Sequence, residues 1–129
     1  MKVLVSAQGA DITAQVDPRF GRAACFVTVD SDSGQWAAQP NASMKAGHGA
    51  GIESARFAID QGVEVVLTGA TGPNAFRTLQ AAGVAVYLVS AGTVADAVDA
   101  FRRGALVRSD GASAPAHAGI GCDKRSENI

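Results

Sequence analysis

The chain has 129 residues, of which 47% are hydrophobic and 18% are charged, as is typical of one folded domain. Its net charge of −1 excludes the strongly basic surface that nucleic-acid-binding proteins usually carry, so we expect no nucleic-acid partner. No hydrophobic run approaches the roughly 20 residues that span a bilayer, and the first residues do not have the pattern of a signal peptide. We therefore expect a cytoplasmic protein with no membrane partner.

Three strands are predicted in the first 40 residues. They cover residues 2–6, 25–29 and 35–39. A polar connection over residues 7–22 is long enough to be a functional loop. Turn-forming residues at 30–34 separate the second strand from the third, so these two strands should form a hairpin, which Pro40 ends.

Three helices alternate with two more strands in the rest of the domain. The helices are predicted from residue 50 to Gly62, from Pro73 to Gly83 and from the N-cap Thr93 to Gly104, and the strands at 64–68 and 84–89. This order predicts an α/β fold with a five-stranded mixed sheet and three helices. Its later strands should be parallel and joined by right-handed crossovers.

The composition changes near residue 109 to Ser, Ala, Gly, Pro and charged residues. We predict one domain over residues 1–108 and a flexible C-terminal tail over 109–129. The tail holds His117 and Cys122, which could together bind a soft metal or could have no function. Cys25 lies in a predicted strand and is expected to be an inert core thiol. The two cysteines form no CxxC pair, so we expect both to be reduced.

A histidine between glycines is the most informative feature of the chain. Gly47 and Gly49 flank His48 just before the first predicted helix. Glycine does not shield its neighbours, so an imidazole there is open to a metal, at a helix N-terminus where anions are stabilised. The alternative interpretation is an exposed histidine in a loop whose glycines serve flexibility.

Two further loops could bind an anion. Arg19 and Arg22 lie close together in one loop and could converge on one anion through forked hydrogen bonds, with Phe20 as the loop's anchor. The loop over residues 69–74, which includes Gly72 and Asn74, could offer backbone N–H groups at the start of the second helix. The alternatives are an ordinary turn with surface arginines and a tight strand-to-helix connection.

The sequence offers little support for catalysis. No serine lies in a GxSxG pattern, no GK[ST] follows the glycine loops, and GxGxxG is not satisfied. The first strand carries no acidic residue, which disfavours a metal-dependent nuclease. We therefore expect a protein that is not an enzyme.

Three segments together resemble the dinitrogenase iron–molybdenum cofactor biosynthesis family. They are DPRFGRA at residues 17–23, GHGAGI at 47–52 and GPNAF at 72–76. The resemblance covers residues 2–104 and implies a ribonuclease-H-like α/β fold with a five-stranded mixed sheet and helices on both faces. It also implies binding of iron–sulfur or molybdenum-containing clusters, which some members hold in part through a histidine.

Carried onto this chain, the resemblance makes His48 the metal ligand. The surrounding cofactor-binding residues would be Arg19, Arg22, Gly47, Gly49, Gly72 and Asn74. The expected function is a non-catalytic carrier or scaffold for an iron–sulfur or iron–molybdenum type cluster. Its partners would be cluster donor and acceptor proteins, and the chain itself a monomer or weak homodimer. The alternative is a phosphate- or nucleotide-binding regulatory domain without metal.

Overall fold

A computed structural model describes residues 1–42 and 50–109, which form six strands and three helices. The strands are β1 (Lys2–Ala7), β2 (Cys25–Asp30), β3 (Trp36–Pro40), β4 (Val65–Thr68), β5 (Ala85–Leu88) and β6 (Val107–Arg108). The helices are α1 (Ala50–Asp60), α2 (Pro73–Ala81) and α3 (Val94–Arg102). At the start of α3, Thr93 and Asp96 form the predicted capping box.

The strands form one mixed sheet in the order β3-β2-β1-β4-β5-β6. Strand β2 is antiparallel to both β1 and β3, which confirms the predicted hairpin. Strands β1, β4 and β5 are parallel, and Val66 of β4 lies between Leu4 of β1 and Val86 of β5. The helical connections through α1 and α2 allow this parallel arrangement, because parallel strands need a crossover.

The sheet has six strands, so the prediction of five was wrong by one. The additional strand, β6, pairs Val107 with Leu88 and Arg108 with Tyr87. The Ser109 N–H continues the pairing by donating to the Val86 carbonyl at 2.8 Å. Two residues are too few to show the alternation that reveals a strand, so periodicity could not predict β6. Residues 110–129, with His117 and Cys122, lie outside the described part of the chain.

Alternate side chains of the strands fill two hydrophobic layers, one on each face of the sheet. On one face, β1, β2, β4 and β5 pack against α1 and α2 through Leu4, Phe26, Val66, Val86, Ala55, Ala58 and Leu79. On the other face, the strands pack against α3 through Val3, Val5, Val27, Val65, Val94, Ala97 and Val98. The three helices thus cover both faces, with α3 on one face and α1 and α2 on the other.

The chain order across the sheet changes direction between β1 and β4. From β1 the chain runs outward through β2 and β3, and it returns through α1 to β4 on the other side of β1. In open α/β sheets, ligands bind beyond the carboxyl ends of the strands at such a switch point. Three segments converge there: the connection after β1, the connection after β4 and the start of α1.

Candidate functional site

The loop after β1 is fixed to the strand ends by buried hydroxyl groups. The Ser6 hydroxyl donates to the Asp17 carbonyl at 2.8 Å, and the Asp17 N–H donates to the Ser6 carbonyl at 2.8 Å. The hydroxyl oxygens of Ser6 and Thr68 are 2.7 Å apart. A carbonyl oxygen only accepts, so the Ser6 proton points to Asp17 and Thr68 donates to Ser6. Strands β1 and β4 and the loop are therefore joined by one hydrogen-bonded chain.

Phe20 and Gly69 attach the same loop to the connection after β4. The Phe20 N–H donates to the Ala70 carbonyl at 3.1 Å, and its buried ring lies 5.5 Å from the ring of Phe26. A Cβ added at Gly69 would lie 2.7 Å from the Cα of Pro18. Only glycine permits this approach, so the two connections form one continuous surface at the edge of the sheet.

Arg19 lies beside a buried carboxylate. The Asp17 Oδ1 accepts the Arg19 N–H at 2.9 Å and lies 3.7 Å from the Arg19 Nε. The Asp17 side chain is 6% exposed, whereas that of Arg19 is 68% exposed. Arg22 is also exposed, three positions further along the loop. Both predicted arginines are therefore accessible to an anion at this edge, and Arg19 already has a partial counterion.

Small residues bring α1 against this loop and against α2. A Cβ at Gly21 would lie 2.8 Å from the Cα of Gly51, and a Cβ at Gly51 would lie 3.3 Å from the Cβ of Ala75. A shallow cavity of about 180 Å³ opens where these elements meet. It is lined by Gly21, Gly51, Ile52, Gly72, Pro73, Asn74 and Ala75. Backbone therefore forms much of this surface.

Gly72 occupies a position where the fold does not require glycine. It is the N-cap of α2, with Pro73 at the first helical position, and it provides no side-chain cap. Its φ of −77° suits any residue, and a Cβ added there would meet no atom within 4 Å. Serine or aspartate at an N-cap usually stabilises a helix, so glycine here leaves an open surface without improving stability.

Asn74 is exposed in the first turn of α2, beside Gly72. Its Oδ1 accepts a hydrogen bond from the Arg77 Nη2 at 2.5 Å. This bond holds the amide on the helix surface, next to the small cavity that Asn74 helps to line. Gly72 and Asn74, predicted as site residues, thus border the same surface as the arginine loop.

The sequence interpretation missed Asn41, which supports the arginine loop from the side of β3. Its buried Nδ2 donates to the carbonyls of Gly21 at 3.2 Å and Ala23 at 3.0 Å, and its N–H donates to the Ala24 carbonyl at 3.0 Å. An asparagine after Pro40 reads as an ordinary loop residue, so its role is visible only in three dimensions. Ser6 and Thr68 were missed for the same reason.

The remaining predicted site residues lie outside the described part of the chain. Gly47, His48 and Gly49 fall in the gap between residues 42 and 50. Within residues 1–42 and 50–109, no three His, Cys, Asp or Glu side chains are grouped so that they could hold a metal ion. Cys25, at the start of β2, is partly exposed. No helix in the described ranges is long and apolar enough to cross a membrane.

By its topology this is a small mixed α/β protein with a glycine-lined surface at the switch point of its sheet. Residues 1–104 match the family model described as dinitrogenase iron-molybdenum cofactor. The chain belongs to that family, as its three sequence segments predicted. A comparison with curated proteins finds no significant match.

Several solved structures share the fold. The apo form of the orange protein from Desulfovibrio gigas is 42% identical, with 86% of this chain and 94% of that chain covered and a TM-score of 0.83. A NifB-like protein of the DUF35 family from Thermotoga is 37% identical, with coverages of 83% and 91% and a TM-score of 0.74. A dinitrogenase-type protein from Methanocaldococcus jannaschii is only 13% identical, with coverages of 86% and 96% and a TM-score of 0.64, so it shows the fold alone.

Proposed function

We propose that this protein is a non-catalytic carrier or scaffold for an iron–sulfur or iron–molybdenum type cluster in nitrogenase-related cofactor assembly. One observation carries the proposal: a shallow surface lined by Gly21, Gly51 and Gly72 lies beside the loop that bears the exposed Arg19 and Arg22. A metal–sulfur cluster is large and anionic. Such cargo needs an open surface with cationic neighbours, and a carrier must also release it.

Charged and polar groups around this surface suit an anion. Arginine binds anions through charge-assisted, forked hydrogen bonds, and the start of a helix favours negative charge. Gly72 places no side chain over the start of α2, so cargo can approach the backbone there. Asn74 adds an amide group at the rim of the cavity.

His48 is the proposed metal ligand. It precedes Ala50 by two residues, and Ala50 begins α1, where its carbonyl carbon would lie 3.3 Å from a Cβ at Gly21. Gly47 and Gly49 flank His48 in the sequence. We propose that its imidazole binds the cluster at the surface where α1 begins. A single exchangeable protein ligand fits a carrier better than a set of cysteines, which would bind too tightly.

The comparisons support a cofactor-related role. The family's description names the iron–molybdenum cofactor, and the similar proteins include an orange protein and a NifB-like protein. We propose cluster donor and acceptor proteins as the partners, a cytoplasmic location and a monomer or weak homodimer as the working state.

We also propose that residues 1–108 form the functional domain and that residues 109–129 form a tail, which starts where the Ser109 N–H donates to β5. The match of the family model over residues 1–104 supports this division. The ribonuclease-H-like class is supported by the order β3-β2-β1-β4-β5, with β2 antiparallel to its neighbours.

Anaerobic loading tests the proposed function. The protein is mixed with iron–sulfur or iron–molybdenum clusters and desalted, and retained metal is measured by elemental analysis and visible absorption. We expect near-stoichiometric retention by the parent protein and by the control His117→Ala, and loss of retention in His48→Ala. Absence of retained metal in the parent would contradict the carrier role, and full retention in His48→Ala would remove His48 from the site.

The uncapped start of α2 also favours a second candidate function, a phosphate- or nucleotide-binding regulatory domain without metal. It predicts thermal stabilisation by nucleotides in the absence of metal. Indifference to nucleotides, together with cluster retention, would exclude it.

A further inference from the structure

Asp17 carries a negative charge that its local structural role does not require. Its Oδ1 accepts the Arg19 N–H at 2.9 Å, which closes a turn of a kind that asparagine or serine also makes. A neutral oxygen would also satisfy that N–H, although through a weaker hydrogen bond. The Asp17 carboxylate, in contrast, is only 6% exposed, and its burial carries a desolvation cost that Arg19 offsets in part. The charge therefore calls for an explanation beyond the turn.

The position of this charge is fixed, whereas the Arg19 side chain lies largely in water. Both main-chain groups of Asp17 are hydrogen bonded to Ser6, and the side chain is enclosed. The Arg19 side chain is 68% exposed, with its Nε 3.7 Å from the Asp17 Oδ1. Salt screens exposed charges more than buried ones. The buried Asp17 charge therefore acts, together with Arg19, on any anion that binds at the arginine loop.

We infer that Asp17 is a built-in countercharge that weakens the hold of the Arg19 loop on anionic cargo and so favours its release. The inference deepens the proposed function and rests on it, because it concerns how tightly the same surface binds. Asp17 competes with cargo for the Arg19 guanidinium and also repels the anion directly. Both effects lower affinity, which suits a carrier and would be counterproductive in a storage protein.

Asp17→Asn tests the inference, because the amide oxygen can still accept the Arg19 N–H while the charge is removed. The matched control is Asp30→Asn. Asp30 makes the same contact with a residue two positions on, accepting the Asp32 N–H at 2.8 Å, but it lies at the opposite end of β2, next to Lys2. The probes are molybdate and inorganic phosphate, titrated by calorimetry into each variant.

We expect Asp17→Asn to bind the dianions about fivefold more tightly than the parent at low ionic strength, as Coulomb's law indicates for one charge removed nearby. This gain should shrink as salt is added, and Asp30→Asn should bind like the parent. Asp17→Asn binding that is equal to the parent's, or weaker, with an unchanged melting temperature would overturn the inference. So would the absence of anion binding in every variant.

A second variant, Arg19→Gln, keeps the test valid if Asp17→Asn does not fold. Arg19→Gln alters an exposed side chain and leaves the Asp17 charge uncompensated, so it should weaken anion binding by about tenfold or more. A loss smaller than twofold would overturn the inference. Where Asp17→Asn does fold, combining it with Arg19→Gln should return the affinity close to the parent value, which a merely structural role of Asp17 does not explain. These titrations use no cluster, so failed cluster loading alone would count only against the proposed function.

Discussion

Gly21 lies so close to Gly51 that a methyl group on Gly21 would sit 2.8 Å from the Gly51 Cα and 2.9 Å from its nitrogen. Real Cβ atoms do not approach backbone atoms so closely, so any other residue at position 21 must displace either the arginine loop or α1. The absence of two side chains thus determines where the loop and the helix meet, at the border of the cavity.

Gly21→Ala is the direct test of this contact. We expect it to lower the free energy of unfolding by about 1–3 kcal/mol, the usual cost of overpacking. Urea denaturation measures the change. Gly34→Ala is a poor control because Gly34 has a φ of +80°. Gly72→Ala is a better one, because it has open space and an ordinary φ and loses only the N-cap preference for glycine over alanine. Equal stability of Gly21→Ala and Gly72→Ala would show that the contact is softer than the structure indicates.

Gly72→Ser separates stability from binding. The serine would cap α2, so we expect unfolding stability to rise by a few tenths of a kcal/mol. The same hydroxymethyl group would cover the surface proposed for cargo, so cluster retention should fall. Thermal unfolding and metal analysis on one preparation measure both quantities. A variant that gains stability and retains its full metal content would place the cargo away from Gly72.

The donor direction in the Thr68–Ser6–Asp17 chain predicts unequal effects of two substitutions. Ser6→Ala leaves a buried carbonyl without its hydroxyl donor and deprives Thr68 of its acceptor, so it should cost about 1–3 kcal/mol. Thr68→Val keeps the shape of the side chain, and Ser6 can still donate to Asp17, so the cost should be smaller. Chemical denaturation of both variants gives the comparison. The reverse order would mean that the Ser6 proton points to Thr68.

Asp30 makes stability depend on pH in the acid range. Its carboxylate accepts backbone hydrogen bonds from Asp32 and Ser33, which lower its pKa below the ordinary value of 3.8. A lowered folded-state pKa stabilises the folded protein above pH 3.8, and this contribution disappears as the pH falls through the folded-state value. Asp30→Asn should therefore lose less stability on acidification than the parent does. Melting temperatures recorded between neutral and acid pH test this, and identical slopes would contradict it.

Sequence patterns predicted the elements whose signals are local. The apolar residues of β1 and β4 occur in short runs, and the capping residues Thr93 and Asp96 lie within one helical turn. The hairpin could be predicted because turn-forming residues separate β2 from β3. Strand β6 was missed because two residues carry no periodicity, and its pairing with β5 comes from tertiary contact.

The site was predictable only in part. The glycines near helix starts and the two arginines of the loop after β1 could be identified, because their chemistry is visible in the sequence. The structural roles of Gly21, Gly69 and Asn41 could not be identified, because each depends on backbone that is distant in the chain. Ser6 and Thr68 sit at the ends of apolar strands, and nothing in their neighbours shows that the two hydroxyls meet.

The close approaches at Gly21 and Gly69 join the segments of this edge through main chain, and main-chain geometry does not depend on which side chains face outward. The side chains at exposed positions such as 19 and 74 take no part in these two close approaches. Under the proposed function, substitutions at these outward positions would change which cargo the edge binds while the scaffold stays the same.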